Sequence, residues 1–391
     1  MAAALAAAEN PDHEILLWER QARLGRKLLA TGNGRCNVTN VHALEGGYHG
    51  EDAAFAVPAL ESFGPEQTLQ WFRRMGLLTV AEDSGRVYPY SDQANSVVDV
   101  LRFALERPNI QVMTGCEVSK IRRHGDGFLV SIGEQTIYCD KLIVACGGLA
   151  GSKLGGSMAG YKLLGKLGHR ATRLRPALVQ LKTDWSGIVG LKGIRANCRV
   201  TVYCDGVHYA ESAGEIQFTE YGLSGPVIFE ISRDVCQSSG QWSCVIDLLP
   251  QLSMDALMQE LRRRRDTLLP VEELLTGILH NRLGRVLTKA AGVKGGRICE
   301  LPDDQLEAVC RIVKAFELPL TEPLGMEHAQ ITAGGVRTQE FDPHTMESRL
   351  VPGLYACGEV LDIDGDCGGY NLQWAWSSGY LAGTNAGKEK R

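Results

Sequence analysis

The chain has no C-x-x-C pair, no H-E-x-x-H, no cysteine or histidine cluster at zinc spacing, no G-x-S-x-G and no P-loop lysine motif. Metal, acyl-transfer and nucleotide-hydrolysis chemistries therefore have no motif to rest on. Positive charge is not in excess either: 41 Lys and Arg stand against 46 Asp and Glu, a net charge of −5, so composition carries no general signal for nucleic acid. The one basic run, Arg262 to Arg265, falls on an expected helix and reads first as a solvated face, with a local RNA phosphate contact as the alternative. The opening MAAALAAA is too short to span a bilayer and has no basic leader, so neither anchor nor signal is expected, and no membrane role. Twelve cysteines without a secretory signal fit reduced thiols in a cytoplasm. No repeat or low-complexity linker interrupts the chain, and 391 residues with 44% hydrophobic content suffice for two domains with a core each.

Against these absences, the stretch Val351 to Gly383, VPGLYACGEVLDIDGDCGGYNLQWAWSSGYLAG, reads as a buried strand, a glycine-rich turn and a helix opening. Strand Leu354 to Cys357 ends in Gly358 and Glu359, where a carboxylate can accept hydrogen bonds from a polyol such as the ribityl chain of FAD. Gly365, Gly368 and Gly369 let the backbone approach a flat ring, since no Cβ intervenes. A helix starting near Tyr370 or Asn371 would aim its amides and positive dipole end at that ring, which suits the negative charge of a reduced flavin. An ordinary glycine-rich connection is the alternative.

A second segment supports the same cofactor from the other end of the chain. ARLGRKLLATGNGRCNVTN, Ala22 to Asn40, follows the apolar strand candidate His13 to Glu19. An acid at a strand end, here Glu19, can hold the ribose hydroxyls of an adenosine, or is a solvated strand terminus. Arg26 and Lys27 can balance a pyrophosphate, and Gly32, Gly34, Arg35, Cys36 and Asn37 form a tight loop able to press backbone amides onto FAD. The apolar run Lys141 to Ala145 predicts a buried parallel strand, stopped by Gly147 and Gly148 in a close-approach turn suited to the adenosine side.

The motifs GRKLLATGNGRCNVTN, GEIQFTEYGLSGP, ITAGGV and GLYACGEVLDIDGDCGGYNLQWAWSSGYLAG occur in this order, and from about residue 2 onward the chain resembles the BaiN/RdsA family of NAD(P)/FAD-dependent oxidoreductases. The resemblance implies an α/β fold with a Rossmann-type FAD-binding domain, three-layered around a mostly parallel sheet and built from both ends of the chain, 1–172 and 325–391. Between them it implies an inserted domain, 173–324, containing a small β-barrel and a helical part. It also implies FAD as cofactor, with Asp362 of the long C-terminal motif among its contacts, and NAD(P)H as electron donor. Members are linked to reduction of a carbon-carbon double bond conjugated to a carbonyl, in steroid-type acids and in a uridine of ribosomal RNA. Family members open with a strand and a G-x-G-x-x-G turn before an alanine-rich helix, whereas MAAALAAAENPDH begins inside such a helix. A misassigned start or a truncated gene is the expected account, with weaker hold on the FAD pyrophosphate as its consequence.

Between the motifs, Ala94 to Arg107 reads as a helix, and Cys116 to Arg123, Phe128 to Ile132 and Thr136 to Cys139 as an antiparallel meander. Strands Cys198 to Cys204, Glu215 to Thr219 and Cys244 to Leu248 precede helices from Ser253 to Phe316, and TEYGLSGP, Thr219 to Pro226, reads equally as a flap over the flavin or a strand-to-helix turn. Alkene reduction needs an acid beside the flavin. Cys36 and Tyr370 are the favoured candidates, with Tyr221 and Cys367 behind them and His169 and His344 weaker still. Three functions remain open: a small-molecule reductase, a ribosomal RNA dihydrouridine synthase, or an inactive remnant unable to hold FAD.

Overall fold

The apolar runs beside the glycine turns form parallel strands. In the computed structural model, which describes residues 1–388, Ile15–Glu19 pairs in parallel with Ile110–Thr114, and Leu142–Val144 with Leu354–Ala356. These are two separate two-stranded ladders. The antiparallel meander follows as expected, in strands Val118–His124, Gly127–Ile132 and Gln135–Cys139. The closing helix Tyr370–Ala386 packs against the fully buried helix Ala2–Ala7, and the contact depends on small residues. A Cβ on Gly383 would stand 2.2 Å from the carbonyl oxygen of Ala3. The same closing helix buries Gln373, whose amide bonds Thr39, Thr68, the carbonyl of Phe63 and its helix neighbour Ser377, so that the helix is tied to two distant segments through one satisfied polar group.

The chain divides into two units, Met1–Pro176 with the chain from Ala329 onward, and Ala177–His328. The sequence boundaries at 173 and 324 lie a few residues from these. In the second unit, six strands run in the antiparallel order Leu181–Lys182, Gly222–Ser224, Val207–Phe218, Arg195–Cys204, Trp242–Asp247, Phe316–Leu320. Residues just past the last strand return to the first: Lys182 N donates to Glu322 O, and Thr321 N to Lys182 O, which brings the sheet round to near closure. Helices Met254–Arg263, Asn281–Ala290 and Asp303–Lys314 supply the helical part, and Leu257, Leu261, Leu283, Leu287, Leu306 and Val309 are their buried faces. The expected Rossmann-type α/β architecture with an inserted barrel is borne out.

Within TEYGLSGP, Gly222–Ser224 is a barrel strand and Pro226 opens the helix Pro226–Gln237, so the motif is a strand-to-helix turn. Its glycines answer to the barrel. A Cβ on Gly222 would lie 2.1 Å from Leu181 O, and Gly225, at φ +98°, has Glu215 O 2.6 Å from the same point.

Candidate functional site

Two parallel strands of the split unit end side by side in glycine turns. Val144 pairs with Ala356, which sets Gly147 and Gly358 at neighbouring strand tips. Both have φ in the left-handed region, +72° and +73°, and both have open space where a Cβ would stand. Glu359 follows. Its Oε2 takes the Lys27 ammonium at 2.6 Å, and its Oε1 accepts the Thr332 amide at 2.8 Å. Thr332 in turn offers Oγ1 to the amides of Leu149 and Ala150, both at 2.9 Å, and so pins the turn that begins at Gly147. Gly148 is tightly enclosed, since a Cβ there would stand 2.4 Å from Glu359 Oε1. Sequence positions 27, 147–148, 332 and 358–359 thus meet in one polar cradle.

A second group of expected residues lies toward the loop 151–156. Glu19 Oε1, at the end of its strand, accepts the Gln21 amide at 2.7 Å. Arg26 donates to Gln21 and to Lys153 O, while Arg20 reaches Gly155 O at 2.8 Å. Gly32, Asn33, Gly34 and Cys36 all have positive φ, which makes the expected tight loop. The amides of Arg35 and Cys36 are already engaged within it, on Gly32 O and Thr31 O. The Arg35 guanidinium stacks on Tyr88 at 3.8 Å and pairs with Glu82 and Asp92. Asn37 accepts the Val87 amide.

The C-terminal glycines meet protein rather than open space. Arg86 Nε lies 2.9 Å from a Cβ built on Gly368, and Asn40 donates to Gly368 O. Gly369 sits against Thr39 and Asn40. Tyr370 opens the helix with its ring edge-on to Tyr48 at 5.8 Å, and Asn371 holds both N and O of Gly365. Asp362 is buried and accepts the Glu51 amide; burial, with Asp364 and Glu51 nearby, pushes its carboxyl up. Cys36 is 0% exposed, and burial pushes its thiol up to about 12.

Residues 1–385 match the HI0933-like protein Rossmann domain. The chain belongs to that family. It is 38% identical to the 3-dehydro-bile acid delta(4,6)-reductase of Clostridium scindens, over 99% of this chain and 96% of the relative. The ribosomal RNA dihydrouridine synthase of Escherichia coli is 30% identical over 96% of this chain and 92% of its own length. Among solved structures, a 3-ketosteroid dehydrogenase from Rhodococcus jostii is similar at 16% identity and a TM-score of 0.46, covering 99% of this chain and 94% of the other. The resemblance carried by the four motifs is borne out by the first two relatives.

Other residues of the cradle were not singled out from the sequence as site residues. Thr332, inside ITAGGV, organises the turn from a position far along the chain. Tyr161 is buried, and its phenol interacts with Thr332 and Glu359. His169, a weak acid candidate, is held in a closed relay: Nδ1 faces Glu340 Oε2 at 2.9 Å and Nε2 faces Ser348 Oγ at 3.0 Å. His344 donates its amide to Asp342 at 2.8 Å. The basic run is partly paired, with Arg262 and Arg265 sharing Asp303, Arg263 on Glu260, and Arg264 on the carbonyls of Leu274 and Thr276. No helix among the described residues is long and apolar enough to cross a membrane.

Proposed function

We propose that the chain is an FAD-dependent oxidoreductase that reduces a carbon-carbon double bond conjugated to a carbonyl in a small molecule, with NAD(P)H as electron donor. The observation that carries this reading is the pair of open, left-handed glycines at adjacent strand tips, Gly147 and Gly358, beside the Lys27–Glu359 pair. Glycines with positive φ and nothing above them leave room for a ligand to lie on the backbone. The polar set suits a dinucleotide: Arg26 and Lys27 for the pyrophosphate, Glu359 to accept from polyol hydroxyls, and Glu19 to accept from the ribose of the adenosine. Gly368, Gly369, Tyr370 and Asn371 open a long helix whose N-terminal end would offer positive potential to a ring held beside it. Asp362, buried behind the same turn, holds that segment in place through the Glu51 amide.

Bound there, FAD supplies hydride to the conjugated alkene. The chain's own part is to polarise the carbonyl and protonate the adjacent carbon. Tyr370 is the better donor of the two candidates, because it is half-buried at the helix opening, whereas the Cys36 thiol is shut away and holds its proton tightly. The bile acid reductase among the relatives supports a small-molecule substrate. A second reading, uridine in ribosomal RNA, is favoured by the Escherichia coli relative.

The test is an absorbance spectrum of protein incubated with FAD, followed by NAD(P)H consumption with a conjugated 3-oxo steroid acid. A flavin spectrum with ketone-dependent turnover is expected. Flavin binding without it, alongside loss of uridine absorbance in a ribosomal RNA fragment, would favour the second reading. No flavin binding at all would leave the chain a remnant.

A further inference from the structure

Reduction of a conjugated alkene needs two donors, one toward the carbonyl oxygen and one that hands a proton to carbon. Tyr370 fills one of these places, and the same corner of the split unit holds an unassigned histidine. The short strands Tyr48–His49 and Asp364–Gly365 pair antiparallel with His49 opposite Asp364, and the Asp366 amide donates to Gly47 O at 2.9 Å. Asn371 holds Gly365 through both backbone atoms, so this ladder is fixed to the opening of the helix Tyr370–Ala386.

His49 Nε2 faces Asp366 Oδ1 at 2.7 Å, and Nδ1 has no hydrogen-bond partner among the described residues. The imidazole is 35% exposed and the carboxylate 47%, so both are open to solvent and within reach of a ligand. With Nε2–H donating to the carboxylate, the ring is held in one orientation and Nδ1 is the nitrogen left to exchange a proton. Gly47 brings this pair against Tyr370. A Cβ on Gly47, whose φ is +80°, would stand 2.8 Å from Asp366 Oδ2 and 2.9 Å from Tyr370 Cε1, so the carboxylate and the phenol ring flank one point. His49 lies in GGYHGED, outside every motif that points to FAD, whereas Asp366 lies within the C-terminal one.

The inference rests on the FAD reading and deepens it: we propose that His49 is the proton donor to carbon, with Asp366 as its positioning residue. The alkene takes a hydride at the carbon β to the carbonyl, and its π electrons move toward the carbonyl oxygen, where Tyr370 donates a hydrogen bond. The α-carbon then forms its C–H bond with the Nδ1 proton. The N–H bond breaks, imidazolium becomes imidazole, and water restores the proton. The two electrons that reduce the alkene come from NAD(P)H by way of the bound cofactor.

The experiment has a labelling arm and a kinetic arm. Diethylpyrocarbonate acylates accessible imidazoles, and peptide mass spectrometry reads each histidine separately. In FAD-loaded wild type without NAD(P)H, a conjugated 3-oxo steroid acid is expected to suppress most of the labelling of His49 and to leave that of the exposed His208 in the barrel unit unchanged. Undiminished labelling of His49 overturns the assignment. In stopped-flow absorbance, His49→Gln is expected to bind FAD and to be reduced by NAD(P)H as wild type is, while its reoxidation by the steroid acid slows by roughly a hundredfold or more. Asp366→Asn is expected to slow the same half-reaction, and Asp366→Glu to recover part of it. Equal reoxidation of wild type and His49→Gln overturns the inference and leaves the FAD reading intact, as does a loss shared equally by both half-reactions. Wild type that binds FAD but is not reoxidised by the steroid acid overturns the small-molecule reading and this inference with it. Failure of wild type to bind FAD overturns the FAD reading itself.

Discussion

Gly369 shows how one atom fixes two ends of the chain. A Cβ there would stand 2.4 Å from both the carbonyl carbon and oxygen of Thr39, and the residue's φ of +106° lies in the left-handed region. Gly369→Val therefore meets backbone on one side and backbone strain on the other. A loss of about 2–4 kcal/mol is expected from strain and overpacking together, read as a lower urea midpoint in the absence of any cofactor. An unchanged midpoint would show that the segment Thr39–Asn40 yields freely. That this position is a glycine of necessity was legible from its place before the helix. The reason was not: the sequence suggests a flavin ring as the close neighbour, whereas Thr39, at the opposite end of the chain, is what a side chain would strike. Local pattern reports that space is tight and is silent on what occupies it.

At the scale of elements, the relay between the loop after helix Ala159–Lys166 and the segment 340–348 works as a pH-dependent clasp. His169 has a side chain at 0% exposure, stacked on Phe341 at 4.7 Å and bonded at both nitrogens. Burial lowers its affinity for a proton, against the smaller opposing pull of Glu340. Burial alone would raise Glu340, but the Arg170 amide, His169 and the Arg170 guanidinium together hold it below the usual carboxylate range. Both groups therefore bind protons less readily folded than unfolded. The stability they confer is full above the ordinary histidine value of about 6.5 and declines as pH falls below it, with the Glu340 share following through the carboxylate range. The expected result is a urea midpoint for the split unit that drops between pH 7.5 and pH 5.5, with a shallower drop in His169→Gln. Parallel pH curves for the two proteins would sink the idea. Elements like these were legible in part. The meander and the closing helix followed from alternation and from the glycines before Tyr370, but the helix Pro226–Gln237 was only one of two even readings of TEYGLSGP. Its β-branched Val227, Ile228, Ile231 and Val235 suit a strand by propensity, and only their spacing, one face of a helix, argues otherwise.

On the scale of the whole molecule, the two units have separate apolar cores. One gathers buried residues from Leu181 to Leu320, and the rest draw on both chain ends, with Phe72, Phe128, Phe341 and Trp374 among the largest. The change from glycine-turn motifs to short antiparallel strands made the division legible near residue 173. Closure of the barrel was not, because it depends on backbone bonds from residues just beyond the last strand. The split unit holds every residue assigned to FAD, and this has a thermodynamic consequence. A ligand stabilises only the cooperative unit that binds it, by about 2.7 kcal/mol at a free concentration one hundred times the dissociation constant. For a unit of this size that corresponds to roughly 5–10 °C in the midpoint. Calorimetry with and without FAD is therefore expected to show two transitions, of which only one moves upward, and limited proteolysis during the scan should assign the moving one to fragments from the chain ends. An equal shift of both transitions would mean that the units unfold as one. A shift confined to Ala177–His328 would place the cofactor in the barrel unit and remove the strand-tip cradle from consideration.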